Sequence, residues 1–296
     1  MPDNTLEEKI KKLPFWTSSI EIEALHGGMT NLNFLVSCEE KKYVVRSGED
    51  IPLHHVMRFN ELAASKAAYR AGLSPAVLYS ENGLTILEYI ESTTFDSEAV
   101  RDPANLPRVV ALIKQCHQSL AQHLRGPALS FWIFHIIRDY AKILQRSDSA
   151  YKDQLQKFVA ISDALEQEAG PYTLAYCHND LLAANFLDDG KRLWLIDWDY
   201  AGMNSPLFDL GGLASNNDFS AEEEHQMLEL YYAEKPSKQL LKQFSAMKCA
   251  SLLRETLWSM VSEQHSNIDF DYSEYTKSNL QRFEQALHTH QQNKTS

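Results

Sequence analysis

The stretch His178-Asn179-Asp180-Leu181-Leu182-Ala183-Ala184-Asn185, with Leu195-Ile196-Asp197-Trp198-Asp199 shortly after it, carries the residue types that phosphoryl transfer requires. That reaction needs a carboxylate at the acceptor hydroxyl and oxygen ligands for the magnesium that neutralises the nucleotide phosphates. The spacing assigns Asp180 to the first task and Asn185 and Asp197 to the second. A His-x-Asp-x4-Asn pattern alone arises by accident in roughly one chain of this size in a hundred on background residue frequencies. The sequence between the two segments lifts it above accident. Apolar runs flank Asp188-Asp189-Gly190-Lys191, and an Asp-Gly pair in that setting predicts a tight hairpin. Such a hairpin folds Asp197 back towards Asn185, so that ligands distant in sequence share one ion.

Positioning these groups takes a strand-rich first part and a helix-rich second part. Asn33 to Ser37 and Tyr43 to Arg46 read as strands joined by the charged turn Cys38-Glu39-Glu40-Lys41-Lys42. A helix is expected from about His54 to Ala71, ending at Gly72 with Pro75 beyond it. Val77 to Tyr79 and Leu84 to Ile90, split by Glu81-Asn82-Gly83, suggest a second hairpin. After Ile90 the periodicity turns helical, with Leu106, Val109, Val110, Ile113, His117 and Leu120 on one face. Further helical patterns lie at about 130–146, 151–169, 221–234, 238–263 and 273–288. The expected organisation is a nucleotide-binding lobe over residues 1–90 and a helical catalytic and acceptor-binding lobe over 91–296. The polar ends, before Phe15 and after His288, are expected to be mobile or loosely docked.

Nucleotide-side candidates follow from this layout. His26-Gly27-Gly28-Met29-Thr30-Asn31 lies between two expected strands, where Gly27, Gly28, Thr30 and Asn31 would let the backbone approach phosphates closely. Arg46 closes the next strand as a cation for the phosphates, and Glu61 on the following helix is placed to hold it. Leu87-Glu88-Tyr89-Ile90 falls where the lobes meet, so backbone groups of Glu88 and Ile90 are candidates for contact with adenine. His117, on an apolar helical face, reads as a core histidine rather than a catalytic one.

Composition excludes several classes. The chain has 296 residues, long enough for two packed lobes, and its 44% hydrophobic content is that of a globular protein. Twenty-eight basic against 40 acidic residues give a net charge of −12, which disfavours a nucleic-acid surface and suits a cationic small substrate. Cys38, Cys116, Cys177 and Cys249 are too scattered for a zinc site or a disulfide framework, which fits a reducing compartment. The apolar run Phe131-Trp132-Ile133-Phe134-His135-Ile136-Ile137 is too short to span a bilayer, and the N-terminus is not signal-like. The expected location is the cytoplasm.

Gly27-Gly28-Met29-Thr30-Asn31, Val44-Val45-Arg46, the 178–185 segment, Ile196-Asp197-Trp198-Asp199-Tyr200 and Phe208-Asp209-Leu210-Gly211 together resemble the choline/ethanolamine kinase family, within the wider aminoglycoside-phosphotransferase-like group. The resemblance covers nearly the whole chain. It implies an α+β, bilobal protein-kinase-like fold: a small antiparallel-sheet N-lobe with one helix, and a larger, mainly helical C-lobe. The implied reaction is magnesium- and ATP-dependent phosphorylation of the hydroxyl of choline or ethanolamine. Asp199, where the family more usually has glutamate, is implied as a further metal ligand. The run Ala250-Ser251-Leu252-Leu253-Arg254-Glu255-Thr256-Leu257-Trp258, followed by Ile268-Asp269-Phe270-Asp271-Tyr272 and Tyr275, resembles the family's choline pocket. It implies acceptor contacts from Tyr200, Trp258 and Tyr275, since a quaternary ammonium is held by ring faces. Glu255 stands where a second cage tryptophan is common, one turn from Trp258, and a carboxylate there suits a primary amine better. Thiamine or an aminoglycoside as acceptor, and a catalytically silent nucleotide-binding protein, are the alternatives.

Overall fold

In the computed structural model of the protein, the described residues are 4–25, 31–81, 83–266, 268 and 270–293. Five antiparallel strands build the first sheet: β1 (Ile20–Leu25), β2 (Leu32–Cys38), β3 (Lys41–Ser47), β4 (Val77–Glu81) and β5 (Leu84–Glu88), in the order β1-β2-β3-β5-β4. Alternation drives it, since Phe34 and Val36 in β2, Val45 in β3 and Leu84 and Ile86 in β5 all point to one buried face. A helix at the start of the chain, α1 (Asn4–Lys11), covers that face with Ile10, followed by Leu13. From Asn4 on, the segment before Phe15 is thus docked rather than loose, because the sheet's apolar face needs a cover and Ile10 is fully buried in supplying it.

Helix α2 (Arg58–Arg70) begins four residues after the expected start, because Pro52–His54 form a 3-10 turn and His55 takes a left-handed φ of 60°. It ends as the sequence predicts. Gly72, at φ 73°, donates to the Tyr69 carbonyl while Leu73 donates to that of Ala68, the paired closure that a glycine permits. Its small face, Ala64, Ala67 and Ala68, packs into the large helical core rather than the sheet core.

The remainder is dominated by α3 (Ser97–Arg101), α4 (Leu106–His123), α5 (Ile133–Arg146), α6 (Lys152–Ala169), α7 (Pro206–Asn216), α8 (Ala221–Tyr232), α9 (Lys238–His265) and α10 (Tyr272–Gln292). Short strands β6 (Thr93–Thr94), β7 (Ala175–Cys177), β8 (Phe186–Asp188), β9 (Leu193–Leu195) and β10 (Gly202–Asn204) thread between them. Helix α9 is the hub, packed against α5, α6, α7 and α10. Helix α7 carries no helical periodicity in sequence because Leu207 to Ser215 are buried all round. Beyond His288, α10 continues to Gln292 and buries His290, whose imidazole pairs with Ser245 at 2.8 Å and Glu168 at 3.0 Å, so the helix is docked here too. Among the described residues no helix is long and apolar enough to cross a membrane. None of the four cysteines is in a disulfide, and all are buried.

Candidate active site

The expected hairpin forms, with Phe186 opposite Leu195 and Asp188 opposite Leu193. Gly190 takes φ 81° at the turn, and Asp189 Oδ1 accepts from the amides of Lys191 and Arg192. This return brings Ile196 to Asn185, whose carbonyl accepts the Ile196 N–H at 3.0 Å. A ring of bonds then ties the two segments together. His178 Nε2 lies 2.9 Å from the Ile196 carbonyl, and its Nδ1 lies 3.3 Å from the Asp180 amide. Burial holds the His178 pKa below the usual imidazole range, so the ring is neutral and fits one tautomer: Nε2–H donates and Nδ1 accepts. Asn185 donates from Nδ2 to the Asp180 carbonyl at 2.9 Å, which leaves its side-chain oxygen as the ligand atom.

Beneath the loop lies a buried carboxylate. Asp209, on α7, accepts the amides of His178 (2.8 Å) and Asn179 (2.7 Å) and pairs with His117 Nε2 at 2.9 Å, while His117 Nδ1 meets the Tyr231 hydroxyl at 2.8 Å. His117 is the satisfied core histidine the sequence suggests. With Cys177 it forms the described cluster compact enough for a metal ion, His117-Cys177-Asp209. Hydrogen bonds already engage the carboxylate and both ring nitrogens, and burial pushes the Cys177 thiol well up, so the cluster is a brace and not a metal site. Asn179 adopts φ 67° and Asp197 φ 68°, a left-handed strain at the two ends of the site that its hydrogen bonds sustain.

Charge concentrates around Asp180, Asp197 and Asp199. Burial pushes the Asp180 pKa up to about 8, against the lowering influence of Arg254 and with Glu255 raising it further. Arg46 Nη2 donates to Asp197 Oδ1 at 2.9 Å and Asp199 Oδ1 at 3.1 Å, and its Nε stands 3.1 Å from Glu61 Oε1. Arg58, which sequence reasoning missed, bridges Glu61 (2.7 Å) and Asp199 (2.9 Å). Asn31 donates to the other Asp199 oxygen at 2.9 Å. Asp199, expected beside the metal, therefore has its carboxylate, 3% exposed, surrounded by protein donors, whereas the Asp197 side chain is 31% exposed. The open carboxylate of Asp197 and the spare oxygen of Asn185 are the hard donors a magnesium ion takes.

Of the other nucleotide-side candidates, Gly27, Gly28 and Thr30 lie outside the described residues. The Glu88 amide is bonded to the Ala76 carbonyl, and the Ile90 carbonyl accepts from Ser92 Oγ. A cavity of about 610 Å³ between the sheet and α2 is lined by Asn31, Arg46, Arg58, Glu61 and Thr85.

The acceptor-side residues do converge, though not as an open cage. Trp258 is buried, its indole N–H bonded to the Tyr200 hydroxyl at 2.9 Å and its ring 5.0 Å from that of His54. His54 was missed by sequence reasoning; burial holds its pKa down to about 3, so it is neutral, and Ser262 Oγ lies 3.1 Å from its Nε2. Tyr275 donates to Glu255 Oε1 at 2.8 Å. The face of Tyr200 is covered by the Arg254 guanidinium, its Cζ 4.4 Å from the ring centroid. The sequence held one signal for Arg254: a lone basic residue within Leu252-Leu253-Arg254-Glu255-Thr256-Leu257.

The family model described as choline/ethanolamine kinase matches residues 22–244. Protein LicA of Haemophilus influenzae is 29% identical over 258 residues, covering 83% of this chain and 75% of that protein. The solved choline/ethanolamine kinase family protein from Mesorhizobium loti is 28% identical with a TM-score of 0.77, over 96% of this chain and 94% of that one. Choline kinase LicA from Streptococcus pneumoniae also gives a TM-score of 0.77, at 25% identity over 97% of this chain and 99% of that one. The protein thus has a bilobal, protein-kinase-like α+β fold and belongs to the choline/ethanolamine kinase family, phosphotransferases with an alcohol group as acceptor.

Proposed function

We propose that the protein transfers the terminal phosphoryl group of ATP to the hydroxyl of a small amino alcohol, ethanolamine or choline, giving the phosphate ester and ADP. The observation that carries this reading is the hydrogen-bonded ring through His178, Asp180, Asn185 and Ile196, which draws two chain segments into one catalytic loop. Asp180 orients the acceptor hydroxyl and takes its proton; a carboxyl group raised towards neutral pH is a better matched base than an ordinary one. Asn185 and Asp197 would hold magnesium, which supplies charge neutralisation on the phosphates when bound. Arg46, braced by Glu61, restrains the phosphates from the N-lobe side.

Residues 1–90 serve as the nucleotide lobe, with the 27–31 segment at the phosphates and 88–90 at adenine, and 91–296 as the catalytic lobe. Tyr200, Glu255, Trp258 and Tyr275 form the acceptor side, and the covered Tyr200 face favours ethanolamine over choline. A cytoplasmic location fits four cysteines that stay out of disulfides. Release of ADP with ethanolamine, choline, thiamine and an aminoglycoside tests the proposal: ethanolamine or choline should turn over, and Asp180→Asn should lower kcat by about 10³-fold or more while ATP still binds. Nucleotide binding without turnover on any acceptor would overturn it.

A further inference from the structure

Arg254 is a charged residue only 4% exposed, on the face of α9 that also carries Glu255 and Trp258. Its position is over-determined. Nη1 donates to Glu255 Oε2 at 2.7 Å, the Tyr200 ring lies under the guanidinium, and the Phe131 centroid stands 5.6 Å away. Its charge is the main influence opposing the rise in the Asp180 pKa, so the guanidinium is felt at the catalytic carboxyl group. Yet Nε and Nη2 are buried and have no hydrogen-bond partner among the described residues.

These two donors are not a random pair. Nε–H and one Nη2–H lie parallel along a single edge of the planar group, the spacing that matches both oxygens of one carboxylate. Glu255 occupies the opposite corner through Nη1, so it fixes the plane and leaves that edge clear. Buried donors of a charged group are costly when unmet, and a folded site that keeps two of them on one edge is shaped for an oxyanion. A purely cationic acceptor gains nothing from this edge and meets like charge where the Tyr200 face would have held it.

We propose that Arg254 is a specificity-determining residue whose Nε–Nη2 edge receives a carboxylate carried by the acceptor, so that the preferred acceptor is a zwitterionic amino alcohol rather than one bearing only a positive charge. This rests on the amino-alcohol kinase reading and narrows it. Glu255, whose oxygens accept from Arg254 and Tyr275, keeps further lone pairs for the acceptor's ammonium, so both charges of a zwitterion find a partner on one turn of α9.

Ethanolamine and serine differ only by a carboxyl group, and they make the test. ADP release and calorimetric binding in the presence of ADP and magnesium are measured for ethanolamine, L-serine and D-serine. In the wild type one serine enantiomer should exceed ethanolamine by about tenfold or more, as expected of a bidentate charge-assisted pair. Arg254→Met should abolish that preference, bringing serine to or below ethanolamine, and Arg254→Lys, which keeps the charge but not the parallel edge, should lose most of it. Thermal melting identifies a variant that fails to fold, in which case Arg254→Lys and the wild-type comparison decide. Equal or better binding and turnover of ethanolamine in the wild type would overturn the proposal. So would an equal fall in kcat with both acceptors in Arg254→Met or Arg254→Lys, because the guanidinium would then act on the transferring phosphoryl group. If no acceptor turns over, the kinase reading fails, and the binding comparison still decides whether the edge takes a carboxylate.

Discussion

Asp180 is a carboxyl group kept where its charge is disfavoured, and this has consequences for stability as well as chemistry. Its pKa in the folded protein, about 8, lies above that of the unfolded chain, so folding favours the protonated form. The cost is absent below the ordinary aspartate range near pH 4, grows as pH rises, and is complete above pH 8. Asp180→Asn removes the charge but keeps the shape. In metal-free protein the variant should melt with the wild type near pH 4 and above it at pH 8 to 9, read by scanning calorimetry in EDTA; equal melting at both ends would mean Asp180 is well solvated. The loss of turnover and gain of stability in one substitution is the trade-off expected of a reactive group held by its surroundings.

The catalytic loop owes its shape to α7, a helix that contributes no reacting group. Asp209 holds the loop by two amides, and its place depends on how closely α7 approaches α9. Gly211 sets that distance: a Cβ there would stand 2.8 Å from the Lys248 backbone nitrogen and 3.0 Å from its Cα, atoms that cannot swing aside. Gly211→Val should therefore destabilise by about 1–3 kcal/mol through overpacking and also lower kcat, because Asp209 moves with the helix. Urea unfolding and steady-state kinetics on the same variant check this; a stability loss with unchanged kcat would uncouple α7 from the loop.

Across the whole molecule two cores meet at the site, one between α1 and the five-stranded sheet, one around α9. Helix α2 joins them, since its alanines sit in the larger core while Glu61 on the same helix reaches Arg46 of the sheet. The sheet core is small, so its cover counts. Ile10→Ala should cost about 2–5 kcal/mol, and native-state hydrogen exchange should show the loss in β2, β3 and β5 before α9. Equal weakening of α9 would mean that the two cores unfold as one. A network of Arg46, Arg58, Glu61, Asp197, Asp199 and Asn31 spans the junction, and burying so many charges makes their mutual pairing obligatory.

Local spacing by itself determined much of this protein. The Asp-Gly turn that returns Ile196 to Asn185, the strand alternation, the glycine end of α2 and the family motifs are properties of neighbouring residues, and a linear chain displays them. Two expectations failed, at Ile10 and at His290, for a reason of the opposite kind: the stretches around them looked mobile or loosely docked because nothing near them in sequence shows the sheet face that buries Ile10 or the Glu168 and Ser245 that hold His290. The same distance hid His54 against Trp258, Arg58 on Asp199 and Arg254 on Tyr200. Only the tertiary structure decided those pairings, because burial and the match of charge to charge act between residues that the fold, not the chain order, makes neighbours.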